Sequence, residues 1–391
     1  MGNRNSLMAL AMGTFGLGIT EFMMMGILPY MAKDFCISIP QAGHFISAYA
    51  LGVCVGAPAV ALGLRTWPLK RILYLLMAVY CVASVSMAMC PSRAYSLMMS
   101  LRFMAGLPHG AYFGVGCIVA DRVSAEGKSA LAIAVMGMGM TVANLIGIPL
   151  GTFIADTFSW RIIFYASSIV GIATWLSIFR FIPYMEALPS NGKKAQFRFL
   201  RSLAPWLVIA ATFFGNGGMM CWYSYVSPML THVSGIPANW MPLMMVLAGV
   251  GMVLGGIYGG RLSDNIGPGH AGRVLQALML VALTGEFLFG YNPWVAVPLM
   301  TLATFGLFGV GSPQQLLLIR YAEGGELLGG AMIQIAFNFG NAMGAYCGGL
   351  PVKAGLGYEY TALVALCCMI IGLCCYTVFC HKYENIRTIK A

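Results

Sequence analysis

Twelve apolar runs, separated by short polar gaps, constrain this chain more than any other feature. They fall roughly at 6–30, 41–63, 71–90, 96–120, 129–153 and 161–182, then 205–230, 240–260, 272–291, 294–319, 327–350 and 359–380. A helix needs about 20 apolar residues to cross a bilayer, whereas membrane β-barrels show short alternating stretches. These runs are long and unbroken, and lipid demands that every backbone polar group be satisfied within the segment. Composition agrees: 59% of the residues are hydrophobic and 9% charged, against about 25% charged in a soluble domain. The expected class is an all-α integral membrane protein with twelve transmembrane helices.

The net charge of +10 does not indicate nucleic-acid binding, because the basic residues sit in the gaps between apolar runs. Lys and Arg favour the cytoplasmic side. An even number of spans puts both termini on one side, which also holds Arg65, Lys70, Arg71, Arg122, Lys128, Arg198, Arg261 and Arg320; the other side holds Lys33, Arg93, Arg161 and Lys353. Both termini are therefore expected in the cytoplasm. The first run is too long for a cleavable signal peptide and lacks a small-residue cleavage site. The 12 Cys show no paired CxxC spacing and mostly lie inside apolar runs, where they read as small packing residues.

The longest polar gap, about 183–204, splits the runs six and six. The expected organisation is an N-terminal six-helix bundle (1–182), a cytoplasmic linker (183–204) and a C-terminal six-helix bundle (205–391). Ala125-Glu-Gly127 recurs as Ala322-Glu-Gly324, and Asn144, Gly147 and Gly151 recur at the same offset as Asn341, Gly344 and Gly348. A shared offset marks an internal repeat and hence two pseudo-symmetric halves.

Titratable residues inside membrane helices are costly and face the bundle interior or a cavity. Five occur: Glu21, His44, Arg102, His109 and Glu286. Arg102 and His109 are seven apart and share a helix face, as do Thr14, Gly18 and Glu21. The two polar stripes imply that Glu21 and Arg102 meet. Burial makes a carboxylate hold its proton more tightly and a neighbouring Arg has the opposite effect, so such a group can exchange protons near neutral pH. Glu21, Arg102 and His109 are thus the candidate proton-coupling residues; a fixed Glu21–Arg102 brace is the structural alternative. His44 is placed at the membrane interface, and Glu286 toward the outer end of helix nine.

The C-terminal half carries amides and aromatics instead. Gln334, Asn338 and Asn341 form a stripe on helix eleven, Asn216, Trp222, Tyr223 and Tyr225 cluster on helix seven, and Gln314 and Gln315 lie on helix ten. With Thr14 these are candidate substrate contacts for a neutral, polyhydroxylated or flat ligand; bonding between helices is the alternative. Gly251, Gly255 and Gly259 recur every four residues, a pattern that admits close helix packing. No nucleophile–base pair, paired carboxylates or metal-ligand spacing is found, so neither an enzyme nor a metal or other cofactor is expected. No filter-like loop suggests a channel, and neither terminus offers an output domain for a membrane sensor.

These residues resemble the major facilitator superfamily, specifically its twelve-helix drug:proton antiporter branch. "GGRLSDNIG", with Asp264, is similar to that family's loop motif; "LRFMAGLPHGAYFG" is similar to its helix-four motif; and "GMGMTVANLIGIPLG", ending at Gly147, Pro149 and Gly151, is similar to its helix-five antiporter signature. "TEFMMMGILPYMAKDF" and "QAGHFISAYALGVCVGAP" look most like the AraJ-type group. The resemblance implies a bacterial inner-membrane protein that works as a monomer. It further implies a central site on helices one, four, seven and ten, and alternating access by rocking of the halves. The expected activity is proton-driven antiport exporting a small organic molecule, with a sugar first and a drug or purine nucleoside as the alternative. The stretch "LRTWPLKRI" departs from the loop motif, with Arg65 near the expected Asp and Pro68 near the expected Gly. Asp264 retains the carboxylate in the second half, where it could sit at a helix N-terminus and favour one access state.

Overall fold

Proline, glycine and capping side chains set where each apolar run starts and stops. The computed structural model describes residues 4–188 and 195–384, without the side chains of 39, 40, 148, 149, 195 and 238. Every regular element among the described residues is helical. In the first half these are α1 (Arg4–Phe35), α2 (Ile39–Gly63), α3 (Leu69–Ala88), α4 (Tyr95–Val123), α5 (Ser129–Thr157) and α6 (Trp160–Phe181). In the second half they are α7 (Leu203–Tyr223), a single turn α8 (Val226–Pro228), α9 (Met241–Ile266), α10 (Pro268–Phe289), α11 (Pro293–Gly309), α12 (Gly311–Arg320), α13 (Glu326–Lys353) and α14 (Tyr360–Phe379).

Eleven of the described helices are long and apolar enough to cross a membrane, with α11 and α12 counting as one rod. The remaining long helix, α13, has 28 residues, and Gln334, Asn338 and Asn341 lower its hydropathy. Two breaks depart from the expected spans. The run at 205–230 ends as a helix at Tyr223 and continues as a π-turn, Met229–Val233, because Pro228 cannot donate to the carbonyl of Ser224. The run at 294–319 is interrupted at Val310, where Pro313 likewise leaves the Gly309 carbonyl without its helical donor. The expected linker contains a 3-10 helix, Ala195–Arg201, and its residues 189–194 lie outside the described part.

Starts are capped where the sequence supplies a polar side chain. Ser38 and Gln41 form a reciprocal capping box on α2, Ser159 Oγ accepts from the Arg161 amide at α6, and Asn292 Oδ1 accepts from the Trp294 amide at α11. Each satisfies donors that no helical carbonyl can reach. Gly267, with φ 91°, ends α9 in a conformation that favours glycine and lets Pro268 open α10 at once.

The chain forms two compact units. Unit 1 comprises Met1–Glu126, Val135–Phe197 and Gly324–Ile335; unit 2 comprises Gly127–Ala134, Arg198–Glu323 and Ala336–Ala391. In unit 1, glycines bring α2 and α4 into backbone contact: Gly52 and Gly56 face Phe103 and Leu107, and Gly106 faces Tyr49. Lipid offers no hydrophobic force between helices, so small residues that admit close approach hold such pairs together. The core beside them includes Met23, Ile27, Phe35, Phe45, Tyr49 and Phe164, with Phe35 and Phe45 edge-on at 5.5 Å. In unit 2, Gly251, Gly255 and Gly259 of α9 face Thr301, Phe305 and Gly309 of α11, which gives the four-residue glycine repeat its packing role.

Candidate functional site

The close α2–α4 contact carries His109 to the edge of α1, where Glu21 reaches it. His109 Nδ1 lies 3.6 Å from Glu21 Oε2 and 2.8 Å from the Tyr49 hydroxyl. The imidazole is 3% exposed; it meets Tyr49 edge-on and stacks on Phe113 at 5.4 Å. Glu21 Oε2 is buried and makes no hydrogen bond, while the Glu21 side chain as a whole remains 25% exposed. The His109–Tyr49 bond can run in either direction, according to which imidazole nitrogen carries the proton.

The expected Glu21–Arg102 pair is electrostatic and not a direct contact: the two groups act on each other across space, while the carboxylate's direct contact is to His109. Arg102, 1% exposed, donates from Nε to the Phe45 carbonyl on α2 and from Nη1 to the Thr20 carbonyl on α1, each at 3.1 Å. Its guanidinium also lies 4.5 Å from the Tyr49 ring centre, a cation–π contact. Two backbone acceptors and an aromatic face thus hold the cation that the stripe geometry had aimed at Glu21. Tyr49 joins the two side chains: its ring takes the guanidinium and its hydroxyl takes the imidazole. Next to it the Thr20 and Tyr80 hydroxyls are 2.8 Å apart, and Tyr80 donates to the Gly16 carbonyl at 2.5 Å. Sequence reading missed Tyr49, Thr20 and Tyr80. The position of Tyr49, three residues before Gly52 on the glycine face of α2, was the available signal.

The rest of the α1 stripe faces α5. Thr14 is fully buried and donates to the Met136 carbonyl at 2.6 Å, and an added Cβ on Gly18 would lie 2.7 Å from Ala143 Cβ. The nearest atoms to Gly147 and Gly151 of the helix-five motif belong to Phe22 and Met23, immediately after Glu21. Pro149 lies in α5, with its side chain outside the described residues. His44 bonds to Tyr95 at 2.8 Å on an exposed face.

In unit 2, Gln314 Nε2 donates to Asn216 Oδ1 at 3.0 Å, joining α12 to α7. Both amides are buried, at 1% exposure each, and Gln315 is 3% exposed. Trp222 is fully buried and donates to Met229 Sδ at 3.3 Å; Tyr223 is half-buried; Tyr225 donates to the Ala345 carbonyl at 3.1 Å. Gln334, Asn338 and Asn341 follow one another along α13, with Gln334 in unit 1 and the other two in unit 2. The Asn341 side-chain oxygen is buried without a hydrogen-bond partner. Glu286 is 0% exposed, and neither carboxyl oxygen has a hydrogen-bond partner among the described residues.

Asp264, in the last turn of α9, receives the Ala130 amide on Oδ1 and the Leu131 amide on Oδ2, each at 2.9 Å. These are among the first free donors of α5, so the carboxylate does sit at a helix N-terminus, where its charge complements the helix dipole. Arg65 Nη1 is buried with no hydrogen-bond partner among the described residues.

The profile described as Major Facilitator Superfamily matches residues 10–345. The chain belongs to that superfamily. AraJ of Escherichia coli (strain K12) is 44% identical over 359 residues, covering 92% of this chain and 91% of AraJ. The inner membrane transport protein YdhP of the same organism is 36% identical over 389 residues, covering 98% and 97%. Among solved structures, the fucose:proton symporter FucP of E. coli superposes with a TM-score of 0.79 at 13% identity, over 97% of this chain and 99% of that one. At that identity the likeness establishes the fold alone. The protein is a multi-pass membrane protein of a transporter family, with the major facilitator fold.

Proposed function

We infer that this protein is a proton-coupled antiporter that exports a small organic molecule across the bacterial inner membrane, with both termini cytoplasmic. The halves 1–182 and 205–391 alternate access by rocking about the linker. One observation carries the reading: a partly exposed carboxylate, Glu21, set against a buried imidazole and hydroxyl, beside a buried Arg102 that other groups hold. The Glu21–His109 contact changes with the proton on Glu21: a carboxylate only accepts from an imidazole N–H, whereas the neutral acid can also donate to the ring. Only an interaction that differs between two states can shift their balance, and this one switches with the proton. The substrate binds through the amides and aromatics of α7, α12 and α13; their chemistry suits hydroxyl-rich ligands, which makes sugars the first class to test.

The test is efflux from proteoliposomes under an imposed pH gradient. Glu21→Gln is expected to abolish gradient-driven transport while substrate binding, read by thermal shift against sugars, nucleosides and cationic drugs, persists. Unchanged proton coupling in Glu21→Gln would overturn the mechanism. A binder outside the sugars would move the substrate class and leave the coupling intact.

A further inference from the structure

Within unit 2, three residues of different chemistry converge where the chain leaves α14 and where α10 begins. The α14 helix runs on into a π-turn, Cys380–Glu384, which places Cys380 and Glu384 about one turn apart on the same side. Glu384 reaches the start of α10: Oε1 accepts from the Gly269 amide at 3.0 Å, Oε2 from the His270 amide at 2.6 Å. His270 Nδ1 stands 2.7 Å from the same Oε2, and Cys380 Sγ, in a fully buried residue, stands 3.6 Å from it. The three donor atoms all lie within 4.8 Å of one another.

We propose that His270, Cys380 and Glu384 form a binding site for a transition-metal ion of the zinc class. Imidazole nitrogen, thiolate sulfur and carboxylate oxygen are the protein ligands of Zn²⁺, held at about 2.0–2.3 Å; a tetrahedral ion then sets its ligand atoms about 3.3–3.7 Å apart. The triangle already present brackets that spacing. Binding replaces the His270–Glu384 hydrogen bond with two metal bonds, the Nδ1 proton moving to Nε2 or leaving to solvent so that neutral imidazole binds, and movements of about an ångström close the geometry. The thiol proton passes to solvent as the sulfur–metal bond forms. One thiolate and one carboxylate then balance the charge of a divalent ion. The mixed nitrogen and sulfur donors disfavour Mg²⁺ and Ca²⁺, which take oxygen ligands.

Two further features support a metal over a plain helix cap. The carboxylate keeps its bonds from the Gly269 and His270 amides, the kind of outer support that orients metal ligands. His270 and Glu384 also line a cavity of about 780 Å³, together with Asn265, Arg273, Arg320 and Tyr321. The cavity gives solvent access to the imidazole and the carboxylate, and its two guanidiniums favour hydroxide or another anion as the fourth ligand.

The test uses the purified full-length protein, stripped with a chelator, and Co²⁺ as a spectroscopic probe that Zn²⁺ should displace. The expected result is one equivalent of Co²⁺ with visible tetrahedral bands and a thiolate-to-metal charge-transfer band. Cys380→Ser should remove the charge-transfer band. His270→Ala and Glu384→Gln should weaken binding by at least the roughly 10–100-fold that loss of an outer-shell partner costs. Cys221→Ser, a buried thiol elsewhere in unit 2, should change nothing. Size-exclusion profiles identify any variant that does not fold, and His270→Ala, which leaves the thiol in place, then decides. The proposal falls if Co²⁺ gives no thiolate band, if Zn²⁺ fails to displace it, or if the spectrum survives Cys380→Ser.

Discussion

The Nδ1 of His109 stands 3.6 Å from Oε2 of Glu21, and this is the direct contact that α1 and α4 make through the carboxylate, with Arg102 acting on it across space. Tyr49 shares the same nitrogen at 2.8 Å and offers its hydroxyl to the Leu17 carbonyl at 3.4 Å. Tyr49→Phe therefore removes one hydroxyl and leaves the ring that carries Arg102. The expected loss is about 1 kcal/mol of stability, with folding retained. The pH profile of transport should shift, because the imidazole loses its neighbour. Thermal unfolding in detergent and efflux measured across a pH series check both halves; an unchanged profile would show that the hydroxyl only braces the helices.

Arg102 spends two directional donors on the Thr20 and Phe45 carbonyls and lays its plane against Tyr49. Lysine keeps the charge but cannot reproduce that fork. Arg102→Lys should therefore cost about 2 kcal/mol, in the range for hydrogen bonds made by charged groups. It should lower the melting temperature more than Tyr49→Phe does. If the two variants melt together, the carbonyl bonds contribute little.

The membrane class, most of the helix limits and the burial of Arg102 and His109 were legible in the sequence, because hydropathy and the seven-residue spacing depend only on residue type and helical pitch; the breaks at Pro228 and Pro313 were not. The Arg102 partners were not legible. A carbonyl acceptor belongs to every residue, so nothing in the letters singles out Thr20 or Phe45. Tyr49 reads as one more apolar aromatic until Gly52 and Gly56 bring α2 against α4. Likewise Cys380 and Glu384 are one turn apart, but His270 lies about a hundred residues before them, and no local spacing could announce that the end of α14 returns to the start of α10.

Asp264 satisfies two amides at once, those of Ala130 and Leu131. Asparagine offers one carbonyl oxygen and no charge, so Asp264→Asn forfeits one bond and the dipole term, about 1 kcal/mol together. Arg65 Nη1 has no bond to lose. Asp264→Asn is expected to impair transport more than Arg65→Ala, and the reverse order in a transport assay would sink this ranking.

Gly255 and Gly256 are neighbours in α9 with opposite surroundings. A Cβ on Gly255 would lie 2.7 Å from the Phe305 Cα, whereas one on Gly256 meets nothing within 4 Å. Backbone cannot yield as a flexible side chain does, so Gly255→Ala should cost about 1–3 kcal/mol. Gly256→Ala should instead gain about 0.5–1 kcal/mol from the lower entropy of the unfolded chain. Melting temperatures moving in opposite directions support the α9–α11 packing; equal shifts would count against it.

Glu286 presents the opposite situation to Glu21. It is 0% exposed, and neither of its oxygens has a hydrogen-bond partner among the described residues. Its Oε2 and the Met229 methyl both border the space beside Gly290. A buried polar group without a partner loses its hydration and gains nothing in return, at about 1–3 kcal/mol. Methionine has similar length, no such requirement and a flexible chain that fills irregular space. Glu286→Met should therefore raise the unfolding free energy by about that amount, read as an increase in melting temperature in detergent. A fall in melting temperature would mean that the carboxyl makes a stabilising interaction through bound water, and a solvent-isotope or high-resolution experiment on that cavity would then be the next measurement.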